Sequence, residues 1–128
     1  MSKTSVNARL AMIQAFASFM DSGSQSATVI FYEGVQPADT AIAADSNKAL
    51  VTLAFPEPCI KETTATYVEL HPTDTATVIK AGTATWARIY NGAGEVAADL
   101  NVGADITLAN TNLVVGGTLS IQSIKLRP

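Results

Sequence analysis

His71 and Cys59 are the only histidine and the only cysteine in this chain, and a nucleophilic pair would have to be built from them. Such a pair needs the thiol beside an imidazole that can take its proton. His71 instead precedes Pro72 in the turn-like segment HPTDT, and Cys59 is set between Pro58 and Ile60. That setting suits a half-buried structural thiol, not an activated thiolate. The carboxylates are dispersed. The nearest pairs, Glu57 with Glu62 and Glu95 with Asp99, fall in turns or on strand edges, without a context that would raise one of them into a general acid. Asp99, Asn101, Gly103 and Asp105 have the alternate spacing of a calcium loop. The glycine required at the sixth position is missing, however, and Asn110 stands where the bidentate acid should be at the twelfth. The GAG of residues 92–94 precedes no helix whose free N–H groups could cradle a phosphate. No catalytic residue, cofactor or metal ligand is assigned, and the chain reads as a non-enzyme. Trp86 remains as either a core aromatic or an exposed stacking platform.

Function is therefore expected to reside in surfaces, and composition narrows which. The 128 residues suit one domain, 1–128, large enough for a sizeable core. Hydrophobic residues make up 48% and charged residues 15%, with a mean hydropathy of +0.24, well outside the disordered regime. Net charge is -3, and the eight basic residues are scattered from Lys3 to Arg127, leaving no cationic stripe for consecutive phosphates. Nucleic acid is not expected as a partner. Nor is a membrane, since no apolar run approaches the length of a bilayer span. A lone cysteine allows no internal disulfide. The first residues do not have the form of a secretory signal, because Gln14 and Ser18 interrupt the apolar stretch; synthesis in a cytoplasm is the expectation.

The elements that would position any surface begin with a helix over 3–21. Val6, Leu10, Ile13, Ala17 and Met20 recur at spacings of three and four, with Asn7, Arg9, Gln14 and Ser18 expected on the opposite face. Thr4 or Ser5 can cap its start and Gly23 its end. The helix is expected to cover a sheet, or else to project as an arm onto a neighbouring subunit. From residue 27 onward the pattern is strand and turn. ATVIFYE makes a first strand, and residues 35–47 a long loop, either a solvated connection or a contact surface. KALVTLAF makes a second strand with Ala49, Val51, Leu53 and Phe55 on one face, and Pro56 and Pro58 then break the ladder. TATYVEL and ATVIK are a third and a fourth. GTATWARIY reads as one continuous strand with Ala84, Trp86, Arg88 and Tyr90 on one side, Arg88 snorkelling outward. NGAG is a hairpin turn. EVAADL, DITLA, NLVV and TLSIQSIKLR follow, the last needing a bulge near Gln122 and Ser123 to reconcile its two parities.

The expected fold is mainly β: an antiparallel β-sandwich, jelly-roll or immunoglobulin-like, over 27–128, with one N-terminal α-helix. Its core is expected to include Leu10, Ile13, Phe31, Leu53, Trp86, Ile89, Leu119 and Ile121. The free termini and loops then supply the candidate partner contacts Lys3, Thr4, Arg9, Val35, Gln36, Asp39 and Asp45.

In the C-terminal half, the residues Gly82-Thr83-Ala84-Thr85-Trp86-Ala87-Arg88, Val102-Gly103-Ala104-Asp105-Ile106-Thr107-Leu108 and Gly116-Gly117-Thr118-Leu119-Ser120-Ile121 carry a resemblance. The chain resembles small proteins encoded in the structural-gene modules of tailed bacteriophages and prophages. The similarity covers about the last 45 residues, extends loosely to the helix and to YEGVQPAD, and departs at Ala87, where an aromatic is commoner. It implies a virion structural component without catalytic residues. A capsid decoration or cement protein binding the major capsid protein, or other virion proteins, in many copies on a symmetric lattice is the leading expectation, with location in the virion. A neck, tail or baseplate component, or a host-surface carbohydrate-binding module, is the alternative.

Overall fold

The computed structural model describes residues 5–64, 67–103, 108 and 110–121, together with the backbone of 124–126. Among the described residues the one α-helix, α1, runs Val6–Met20. Ser5 is the N-cap, its hydroxyl accepting from the Ala8 N–H at 3.2 Å. The C-cap is Asp21 rather than Gly23, although Gly23 does take a positive φ of 103° just beyond. Leu10, Ala17 and Met20 are buried, Ile13 and Phe16 are half-buried, and Val6 is exposed. The polar residues do not lie opposite this stripe. Directly away from the core are Ala8, Met12, Ala15 and Phe19, following one another at spacings of four, three and four, all exposed, while Asn7, Gln14 and Ser18 line one flank. A helix this rich in alanine has no strong polar side, so spacing alone misplaced its outer face.

The strands are β1 (Thr28–Tyr32), β2 (Ala49–Ala54), β3 (Ile60–Thr63), β4 (Val68–Leu70), β5 (Ala76–Thr77), β6 (Gly82–Thr83), β7 (Trp86–Tyr90), β8 (Val96–Asn101), β9 (Asn112–Leu113), β10 (Thr118–Leu119) and β11 (Ile124–Leu126). All pairings are antiparallel. They build a four-stranded sheet β2-β1-β7-β8, a three-stranded sheet β11-β4-β3, and two small ladders, β10-β5 and β6-β9. The molecule is thus mainly β with an N-terminal helix, as the strand grammar implies. Its sheets are small and separate rather than two broad faces of a closed sandwich.

The β-branched and aromatic residues of β1 explain its central place. Val29 and Phe31 are fully buried on the inner face, opposite Leu53 and Val51 of β2 and Ile89 and Ala87 of β7. Around them gather Ala17 and Met20 of α1, Leu50, Phe55, Cys59, Leu70, Val78, Leu113 and Ile121. Of the expected core, Leu10, Phe31, Leu53, Ile89, Trp86 and Ile121 are buried; Leu119 is partly buried against the cluster and Ile13 only half-buried.

Several strand expectations change. GTATWARIY is two strands, because the backbone turns aside at Ala84 and Thr85: the Ala84 N–H bonds Thr111 and the Thr85 N–H bonds Tyr32. The IKET segment is a strand that alternation missed, since three of its four side chains are exposed. Within TATYVEL the described strand is Val68–Leu70, and NLVV ends as a strand at Leu113, its two valines entering a turn closed by Gly117 N–H to Val114 O. The final segment is divided between two sheets, β10 pairing with β5 and β11 with β4. The expected bulge at Gln122–Ser123 and most of DITLA lie outside the described residues.

Candidate functional site

The outer face of the four-stranded sheet holds a linked group of polar and aromatic side chains. Antiparallel register sets Tyr32 beside Trp86, and Ile30, Arg88 and Asp99 in a row across β1, β7 and β8. The Tyr32 and Trp86 rings stack, with centroids 4.5 Å apart and planes 16° from parallel, and the Arg88 guanidinium carbon is 5.4 Å from the Trp86 ring centre. Arg88 does not snorkel outward: it is 1% exposed. Its Nε and Nη2 donate to the two Asp99 oxygens at 2.6 and 3.0 Å, in the bidentate geometry that suits guanidinium and carboxylate. Its Nη1 donates at 2.7 Å to the carbonyl of Ile42. The hydrogen bond to Asp99 raises the Arg88 pKa further above its already high ordinary value. Burial and a hydroxyl contact with Tyr90 at 3.4 Å push the Tyr32 phenol well above its usual range.

Residues 33–45 therefore cover this face as a fastened loop, followed by a single 3₁₀ turn, Ser46–Lys48. Thr85 Oγ1 donates to the Gly34 carbonyl at 2.6 Å at one end. Asp39 and Asp45 each accept from a backbone N–H two residues on, at Ala41 and Asn47, the local Asx turns that short acidic side chains favour. A bridge of 3.0 Å joins Glu33 to Lys80.

Of the candidate contact residues, Val35 is the most exposed large aliphatic, at 90%. Asp39, Asp45 and Arg9 are also exposed, though the two carboxylates are engaged in their turns. Gln36 is half-buried and turns its side-chain oxygen inward, where it has no hydrogen-bond partner. Lys3 and Thr4 lie outside the described residues.

No protein-family model, curated protein or solved structure matches this chain.

The site is accordingly read from its own geometry. Sequence reasoning missed Ile79, Val114 and Val115, which are all exposed and brought together by backbone pairing: Val78 N–H bonds the Gly117 carbonyl and Gly116 N–H returns to Val78. The Glu33–Lys80 bridge joins the chain next to Ile79 to the start of the 33–45 segment, which carries the exposed Val35 and the half-exposed Ile42. Two β-branched residues directly before the Gly116-Gly117 turn were the available signal.

The residues considered for chemistry fall elsewhere and apart. Cys59 is buried beneath α1; its N–H donates to the Asp21 carboxylate at 3.0 Å and its thiol to the Ala17 carbonyl. Burial first, and the Asp21 carboxylate second, push this thiol from about 9.0 up to about 12, the opposite of activation. The His71 N–H bonds the Cys59 carbonyl, so the two residues meet through backbone. Glu62 accepts from the Tyr67 hydroxyl at 3.0 Å. Asp99 and Asn101 lie within β8, not in a loop, and both Asp99 oxygens are taken by Arg88. Among the described residues no three His, Cys, Asp or Glu side chains converge as a metal site. No described helix is long and apolar enough to cross a membrane.

Proposed function

We propose that this protein is a structural component of a tailed-bacteriophage virion, a capsid decoration or cement protein that bridges major capsid subunits in many copies. The observation that carries the reading is a set of exposed aliphatics, Val35 and Ile42 on the 33–45 segment and Ile79, Val114 and Val115 on stretches that the Glu33–Lys80 bridge and the Val78 backbone bonds link to it. Single exposed aliphatics are ordinary, whereas several on linked segments mark a surface that gains from being covered. The loop presenting two of them is held in shape by Arg88 and Thr85, so little conformational freedom is lost when it binds. The sequence resemblance of the C-terminal half supplies the class of partner. On a symmetric shell each copy needs only a modest contact, because neighbouring copies multiply it.

The test is made on purified particles. The protein should be present at a copy number comparable to that of the shell capsomers. Scrambling Asp39 to Asp45, or replacing Val114 and Val115 with serine, should leave it folded but unable to co-sediment with capsids. Particles lacking it should break at lower temperature. A few copies at the neck or tail, with shell stability unchanged, would move it to those positions; complete absence from particles would overturn the virion reading.

A further inference from the structure

The outward face of α1 is a further apolar surface left bare among the described residues, and it lies on a different element from the loop residues just described. Its four residues, Ala8, Met12, Ala15 and Phe19, alternate small with large. Met12 is 55% exposed and Phe19 38%, a state a soluble helix seldom keeps for its outermost stripe. We propose that this face pairs with the same face of a second copy of the chain, the two helices running antiparallel.

The order of side chains argues for the occupant and the direction. A twofold axis passing between Ile13 and Gln14 sets Ala8 opposite Phe19 of the second copy and Met12 opposite Ala15. Every large side chain then meets a small one, as close helix packing requires. Parallel pairing would instead stack Phe19 on Phe19 and leave Ala8 facing Ala8, producing a bulge and a gap. Charge agrees. Arg9 is the helix's only charged residue and lies on a flank, so the stripe carries no charge to desolvate or to repel its copy. The antiparallel arrangement also brings each Arg9 toward the negative end of the opposing helix dipole, and aligns the two dipoles favourably.

Area sets the strength. A strip about 22 Å long and about 10 Å wide falls well short of the ~800 Å² per partner of a standard stable complex. The pair is therefore weak in dilute solution and becomes populated when copies are concentrated or held side by side. It does not depend on the virion reading, and isolated protein tests it.

Sedimentation of the full chain should show monomer at about 5 μM and a mass rising toward the dimer as the concentration approaches about 1 mM, the range in which a weak complex forms. Ala15→Glu, an exposed change to another good helix former, should stay monomeric throughout with its melting temperature unchanged. Direction is read by oxidative cross-linking: a mixture of Ala8→Cys and Phe19→Cys proteins should form the mixed disulfide, while Ala8→Cys alone should not. The buried Cys59 gives little background. A monomer at every concentration, undiminished pairing in Ala15→Glu, or faster linkage of Ala8→Cys to itself than to Phe19→Cys would each overturn the proposal.

Discussion

Removing the Asp99 carboxylate should be costlier than removing the whole ion pair. With Asp99→Ala, the Arg88 guanidinium stays buried with two of its donors unmatched, a loss of about 3–5 kcal/mol. Replacing both partners by apolar residues, Arg88→Met with Asp99→Leu, should recover most of that loss, since neither charge then needs desolvating; urea unfolding of the three proteins checks the order. Trp86 belongs to the same layer, stacked on Tyr32 and close to Arg88, and Trp86→Ala should cost about 3–5 kcal/mol. An unchanged melting midpoint would contradict its burial. Cys59 gives a prediction in pH. Its thiol titrates near 12 in the folded protein and near 9.0 when unfolded, so the folded state holds the proton more tightly. Stability is retained below about pH 9 and falls as pH rises from there toward 12, because the unfolded chain gains by ionising. In Cys59→Ala this alkaline loss should be reduced, as judged by unfolding midpoints across that interval.

At the scale of elements, a tight junction forms where the end of α1 meets the β7–β8 hairpin. Asn91 organises that hairpin, its side-chain oxygen accepting from the N–H groups of Ala93 and Glu95, as the NGAG motif implied. What the motif could not reveal is that Gly92 is needed for space. A β-carbon there would land on the backbone carbonyl oxygens of Gln25 and Ser22, in a connection that cannot retreat because Gly92 N–H also bonds Met20. Gly92→Ala should therefore cost more than about 3 kcal/mol. Gly94→Ala, where φ is +84° but nothing stands within 4 Å, should cost about 1–2 kcal/mol. The difference appears in thermal unfolding. Elements were legible where contrast between faces was strong, as in TVIFY and in Trp86, Arg88 and Tyr90 sharing a side. They were illegible where it was weak. In α1, alanines on every side hid the true outer stripe. In IKET, an edge strand with exposed side chains has no buried face to produce alternation. At Ala84–Thr85, period-two patterning runs on while the backbone changes partners, and such a change leaves no mark on hydropathy.

For the whole molecule, a mainly β architecture with a helix at the start was readable because turn residues punctuate strand formers throughout. The arrangement of those strands was not, since which strands pair depends on contacts distant in sequence. The ladder β10-β5 joins residues some forty positions apart, and the Arg88 tether reaches Ile42 from a strand far along the chain. The uneven lengths of the sheets imply uneven stability. Amides of β1 and β7, flanked by strands on both sides, should exchange with solvent only on global unfolding. Those of the two-residue ladders β6-β9 and β10-β5 should exchange through local opening. Hydrogen exchange followed by mass spectrometry separates the two groups, and uniform protection across all six strands would refute the assignment.

The bond from Arg88 to the Ile42 carbonyl also changes what kind of connection residues 34–45 form. A chain fastened at both ends and again at its middle is two short spans sharing a post, and each closes on its own. Doubling one span adds only about 0.6 kcal/mol of closure entropy and leaves its neighbour undisturbed. Residues on the Val35 side and those on the Asp45 side can thus be lengthened or rewritten independently, so the surface they form can be altered one half at a time while the sheet beneath keeps its shape.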